Sequence, residues 1–386
     1  MRVLFASTAN EGHFGPLLPL VRAFAGLGHE ARVAAPQSFA RSLAGFGLEH
    51  EPFADVPGEI IGPVMGRLPS VAPLEADTIV IQDVFGRLAA QAGLPGVTEI
   101  IERWRPDLVV RETGELASLA AAERAGVPHA HMCIGMHGMA SHFRALLAEP
   151  LSELSTLAGL DADRLATALA DEPTFSVVPE LLDFPDGGGS DAIRRFHEPL
   201  PTATAERSPE WGDLDRPLVY VTFGSVAGSI PPFAGVFRAA LDALAGLDAA
   251  VVMTVGRAVD PSGLAPLPAN AKVFNWLPQG DVLAHASAMV AHGGFGTTMG
   301  ALAAGVPQLA VPLFTSDQVM NGEHVAAVGA GLTTPMGIAS LADAAGQVRQ
   351  LMTDPTLTDG ARRVAAAVRE LPPPSEAVDE LVALCG

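Results

Sequence analysis

Short apolar runs alternate with helical stretches along this chain. The alternation breaks once and then resumes. Runs at 2–6, 31–35, 108–110 and 128–133 are apolar nearly throughout, as strands buried on both faces are. Helical stretches follow at 16–27, with Pro16 near its start and Gly28 just beyond its end, and at 116–125. Such a chain closes most readily as a parallel sheet with helices on both faces. The Pro-rich, acidic segment 199–217 reads as an interdomain linker. Beyond it come strands at 218–223, 250–255, 272–275, 288–291 and 308–313, helices at 232–244 and 297–304, a short helix ending near His285, and a helical C-terminal region.

The expected architecture is α/β with two Rossmann-like, doubly wound domains. They span 1–203 and 218–370, with a linker at 204–217 and a C-terminal helix at 371–386 packing back toward the first domain. Ligands of such folds bind at the carboxyl ends of the strands, and a cleft between two such domains is the expected active site. Residues 55–78 carry several Pro and Gly without a clear period and read as a long binding loop.

Composition narrows the function classes. Of 386 residues, 49% are hydrophobic, which excludes a disordered chain. A net charge of −20 argues against nucleic acid and anionic membranes as partners. Lys272 is the only lysine, so chemistry that needs a second is excluded. Cys133 and Cys385 form neither a disulfide framework nor a ligand spacing. The apolar run at 2–6 is too short for a signal peptide, and no stretch approaches the roughly 18 to 20 apolar residues of a membrane span. A soluble cytoplasmic protein is expected.

The chemistry concentrates in the second half. Trp276-Leu277-Pro278-Gln279 is followed by His292-Gly293-Gly294-Phe295-Gly296-Thr297-Thr298, then Gly305-Val306-Pro307, then Asp317-Gln318. His292 ends an apolar strand and Thr297 begins a helix. The glycines between allow a sharp turn and close approach to a ligand. Free N–H groups of Gly296, Thr297 and Thr298 at that helix start make an anion site, to which His292 adds a donor. Alone, this loop also reads as an ordinary tight turn of a Rossmann-like domain. The full order is far more specific.

That order resembles the nucleotide-sugar glycosyltransferases of the GT-B fold, family 1, which include bacterial antibiotic glycosyltransferases. The resemblance extends to the N-terminus, where Gly12-His13-Phe14-Gly15-Pro16 is similar to the family's Gly-His-x-x-Pro segment. It implies two doubly wound domains facing across a cleft and an inverting, metal-independent transfer of a sugar to the hydroxyl of a natural-product aglycone in antibiotic biosynthesis. It assigns His13 as catalytic base. Trp276 would stack on the nucleobase and Gln279 lie beside the nucleoside. His292, Gly294, Gly296, Thr297 and Thr298 would hold the diphosphate, with Ser225 as a further phosphate contact. Asp317 and Gln318 would bind the sugar hydroxyls. Trp276 also reads as core, Asp317 as a helix N-cap and Ser225 as a turn residue.

Two departures from the plant pattern matter. Gly296 replaces an asparagine, and Gly300 replaces the glutamate that binds the ribose hydroxyls of UDP. A site without that carboxylate gains nothing from a 2′-hydroxyl, which favours a dTDP-sugar. The expected carboxylate partner of His13 is Glu112, where the family has aspartate. Asp107 is the weaker candidate.

His129, His131, His137 and His142 cluster without a complete metal-ligand set. Met65, Phe85, Met132, Met136, His137 and Phe143 are candidates for an acceptor pocket, and most of them read equally well as core. Arg257 either touches the diphosphate or is solvated. No cofactor or metal is expected. The partners are the donor and the aglycone, with a homodimer left open. The alternatives are a UDP-sugar donor, an NAD-dependent oxidoreductase without GxGxxG, and a catalytically silent, partner-binding homologue. A pyridoxal phosphate enzyme is rejected because Lys272 has no supporting motif.

Overall fold

The computed structural model describes residues 1–190, 192–198, 206–224, 227–229, 233–257 and 259–386. They form two compact units. One comprises Met1–Val178, Ser190–Pro199 and Leu371–Gly386, and the other Pro179–Gly189 and Leu200–Glu370.

The first unit is built on seven strands: β1 (Arg2–Ala6), β2 (Glu30–Pro36), β3 (His50–Phe53), β4 (Leu108–Glu112), β5 (His129–Met132), β6 (Thr174–Ser176) and β7 (Ile193–Arg195). All pair in parallel, in the order β3-β2-β1-β4-β5-β6-β7. β1 and β4 are the apolar runs of the sequence. Val3, Leu4, Phe5, Leu108, Val109 and Val110 have no exposed surface, as a sheet covered on both faces requires. β3, β6 and β7 were not anticipated, because three or four residues such as His-Glu-Pro-Phe or Thr-Phe-Ser hold no periodic signal. The helix Pro374–Ala383 belongs to this unit and packs on Leu18–Gly26.

Residues 55–78 are not a loop. They form the helices Gly58–Met65 and Pro73–Thr78 with a one-turn segment Leu68–Ser70 between them. Pro73 occupies the first helical position, where a missing N–H costs nothing. Neither helix buries a residue. A π-helical stretch, Ile79–Ala89, then runs into the helix Ala90–Trp104.

The second unit repeats the plan with β8 (Leu218–Thr222), β9 (Ala250–Thr254), β10 (Ala271–Phe274), β11 (Ala286–Ala291), β12 (Gln308–Ala310) and β13 (Gly331–Thr333). Their parallel order is β10-β9-β8-β11-β12-β13. The segment expected to be a linker packs into this unit over its described part, 206–217. Ser208 caps the turn Pro209–Trp211, and the Trp211 ring is buried against Leu218, Val252 and Met289. No helix among the described residues is long and apolar enough to cross a membrane.

Candidate active site

In both sheets the strand order reverses direction beside the first strand, between β1 and β4 and between β8 and β11. Connections leave that point to opposite sides, which opens a crevice at the strands' carboxyl ends. A histidine stands at each.

In the first unit His13 follows β1 and Glu112 ends β4. The loop expected around His13 is partly helical. Asn10 accepts the Gly12 N–H at 2.7 Å and caps the single turn Glu11–Phe14, which carries His13. Nδ1 of His13 lies 3.2 Å from Oε2 of Glu112. Glu112 is wholly buried, and its oxygens also accept the N–H groups of Thr8 (3.1 Å) and Gly114 (2.5 Å). Burial pushes this carboxyl's pKa up, but His13 and the two backbone donors outweigh it and hold the group ionised below its ordinary range. With Nδ1–H directed at a carboxylate, Nε2 carries the lone pair and can take a proton. A Cβ on Gly114 would lie 3.2 Å from the His13 ring and 3.3 Å from Glu112, tighter than an ordinary contact. Phe85, carried by the π-helical stretch, packs on His13 with ring centroids 5.4 Å apart.

Asp107 accepts the Arg2 N–H at 2.8 Å, at the opposite end of β4 from His13. Met132 and Met136 have no exposed surface, and Phe143 lies in a core cluster beside Phe85. Met65 is exposed and His137 contacts Ser141 on its own helix. His129 bridges Glu123 and Glu172, each at 2.8 Å, and Glu172 pairs with the buried Arg111 at 2.5 Å. Burial, helped by the Arg111 charge, lowers the pKa of His131 to about 3, and its Nε2 lies 2.9 Å from Thr113 Oγ1. Among the described residues no three His, Cys, Asp or Glu side chains converge on a metal-sized site.

In the second unit His292 follows β11 and Gly224 follows β8. The imidazole is enclosed between two glycines. A Cβ at Gly224 would sit 2.9 Å from the ring, and one at Gly294 would overlap Nε2. Burial lowers the His292 pKa to about 4, which keeps the ring neutral near pH 7. Its buried Nδ1 has no hydrogen-bond partner among the described residues. Gly294 is the N-cap of the helix Phe295–Ala303, which therefore starts two residues earlier than expected. The Thr298 N–H bonds the Gly294 carbonyl at 2.9 Å, so it is not a free donor. The first-turn N–H groups are those of Phe295, Gly296 and Thr297.

Trp276 is exposed rather than core, and the Arg257 guanidinium lies 4.7 Å from its ring centroid. Gln279 opens the helix Gln279–Leu283 and lays its carboxamide over Gly300, where a Cβ would overlap Nε2. Asp317 lies in the first turn of Ser316–Ala327, whose cap is Thr315, so the N-cap reading of Asp317 fails. Gln318 is buried, and its Oε1 accepts the N–H groups of Leu313 (2.8 Å) and Phe314 (3.3 Å). Ser225 lies outside the described residues. Lys272 is exposed on β10. Sequence reasoning missed Asn321, which is buried with Nδ2 2.8 Å from the Gly293 carbonyl. Its spacing of three from Gln318, on one helix face, was the available signal.

Two doubly wound parallel sheets with histidines at both switch points have the organisation of a GT-B glycosyltransferase. Comparison with known proteins agrees. A family model for the erythromycin biosynthesis protein CIII-like N-terminal domain matches residues 22–188, and its C-terminal counterpart matches 238–384. The chain is 32% identical to the L-demethylnoviosyl transferase of Streptomyces niveus, over 99% of this chain and 98% of that one. It is 31% identical to an elloramycin glycosyltransferase of Streptomyces olivaceus, over 99% and 97%. The crystal structure of the glycosyltransferase VinC in complex with dTDP superposes with a TM-score of 0.78 at 26% identity, covering 100% of this chain and 99% of that one. The chain belongs to the erythromycin biosynthesis protein CIII-like family and is a family 1 antibiotic glycosyltransferase. The oxidoreductase alternative falls with that assignment.

Proposed function

We propose that the protein transfers a sugar from a dTDP-sugar to a hydroxyl of a natural-product aglycone, with inversion at the anomeric carbon and without a metal ion. The observation that carries this reading is the buried, ionised Glu112 bonded to Nδ1 of His13. The acceptor hydroxyl gives its proton to Nε2 of His13, and Glu112 stabilises the imidazolium. The acceptor oxygen bonds to the anomeric carbon as the carbon–phosphate oxygen bond breaks. The electron pair leaves on dTDP. His292 and the N–H groups of Phe295, Gly296 and Thr297 meet the charge that develops on the diphosphate, a preorganised electrostatic contribution. Trp276 offers the nucleobase an exposed ring. The dTDP complex of VinC and the absence of a carboxylate at Gly300 support a thymidine donor.

Mass spectrometry of products from dTDP- and UDP-sugars with mixed aglycones tests the donor. The anomeric coupling constant of the product tests inversion, and assay in EDTA tests metal independence. Preference for UDP-sugars, retention of configuration or complete loss in EDTA would each overturn its part of the reading. Undiminished turnover by His13→Ala would remove the base. Binding of dTDP without turnover would favour a silent homologue.

A further inference from the structure

The loop between His292 and Gly294 rests directly on the helix Ser316–Ala327. Gly293 has φ +82°, and a Cβ there would lie 2.6 Å from the Gln318 carbonyl oxygen. Two side chains on that helix reach adjoining loops. Gln318 accepts the N–H groups of Leu313 and Phe314, and Asn321 donates to the Gly293 carbonyl. Spaced three apart, they share one helix face. Asn321 is 2% exposed, and at 2.8 Å its bond is of ordinary length. The Gly293 peptide lies between the imidazole on one side and the helix cap Gly294 on the other. Its orientation therefore sets where His292 and the first-turn N–H groups point.

We infer that Asn321 is a positioning residue for the nucleotide diphosphate. It touches no ligand itself. It fixes the Gly293 peptide so that His292 and the N–H groups of Phe295, Gly296 and Thr297 converge on one place. This rests on the reading of that loop as the donor site. Its loss leaves a buried carbonyl short of a donor and frees the peptide to rotate, which misaligns several donors at once.

The test is dTDP binding by calorimetry, with steady-state kinetics and thermal melting, for Asn321→Ala, Asn321→Asp and His292→Ala. Asn321→Asp keeps the size but removes the amide N–H. Both Asn321 variants are expected to bind dTDP about ten-fold more weakly. The donor KM should rise with it, while the acceptor KM stays unchanged. If they bind dTDP as the parent does and differ only in melting temperature, Asn321 is merely structural and the inference fails. If Asn321→Ala does not fold, Asn321→Asp decides. If His292→Ala also binds normally, the donor-site reading itself is wrong. If His292→Ala binds weakly while the Asn321 variants bind normally, only the inference is lost.

Discussion

Nδ1 of His13 lies 3.2 Å from Oε2 of Glu112, and the same carboxylate accepts two backbone N–H groups, from Thr8 and Gly114. Glu112 ends the fully buried β4, and His13 stands on the capped turn that follows β1, so the carboxylate is held by a rigid element. The proposed role of His13 is proton transfer, which general bases accelerate by about 10²–10⁴-fold. His13→Ala is expected to lower kcat by that range and leave dTDP affinity unchanged, because the proposed nucleotide site lies in the other unit. Rapid-quench kinetics beside calorimetry separates the two effects.

Glu112 can be tested independently of His13. Glu112→Gln keeps the volume but can turn an amide N–H toward Nδ1, which imposes the wrong tautomer. Glu112→Asp retracts the carboxylate from three donors held at fixed distances. Each change is expected to cost about 10²-fold or more in kcat. The folded-state pKa of Glu112 is depressed, so its contribution to stability is present above the ordinary glutamate range and lost as pH falls through the depressed value. Glu112→Gln should therefore flatten that acid-side loss, read as melting temperature against pH.

The pairing of these two residues was legible in the sequence, the histidine from its Gly-His-x-x-Pro setting and the glutamate from its match to the family's strand-end aspartate. Other features were not. Proline and glycine in 55–78 suggested a loop, yet Pro73 starts a helix, because its locked φ and missing N–H suit the first helical position. Gln318 carried a ligand-binding signature in sequence, while its side-chain oxygen serves the Leu313 and Phe314 backbone. No periodicity separates those two uses of one amide. Met132 and Met136 read as acceptor candidates, yet neither has exposed surface: Met132 ends β5 and Met136 directly precedes the helix His137–Leu146. The free first-turn N–H groups lie one residue earlier than expected because the helix begins at Phe295. The glycines that permit the turn also hid where it ends.

Glu115 gives a pH signature of opposite sign. Burial raises its pKa to about 7, against the Ser118 hydroxyl and N–H that favour the ionised form. Unfolded, the same group ionises near 4.5. Between those values the folded state holds more protons, so stability falls as pH rises and levels off above about 7. Glu115→Gln keeps an acceptor for Ser118 and cannot ionise. It should gain on the order of 1–3 kcal/mol over the parent at mildly alkaline pH, and the gap should narrow toward the acid side. Denaturant unfolding across that range measures it, and a gap that widens toward acid would contradict the assignment.

Gly300 and Gln279 make a coupled pair, since any side chain at 300 must displace the Gln279 carboxamide. Gly300→Ala should push that amide away without supplying a new acceptor. If Gln279 lies beside the nucleoside, dTDP binding weakens by about 2–10-fold, the worth of one ordinary hydrogen bond. Gly300→Glu displaces the amide as well but brings a carboxylate that can accept a ribose 2′-hydroxyl. Thymidine, which lacks that hydroxyl, gains nothing, whereas UDP gains a charge-assisted bond worth about ten-fold or more. The expected result is a reversal of direction between the two variants. Gly300→Ala lowers affinity for both nucleotides, and Gly300→Glu raises the ratio of UDP to dTDP binding. Competitive titration of the two nucleotides against each variant reads that ratio directly. An unchanged ratio in Gly300→Glu would mean that the ribose lies elsewhere.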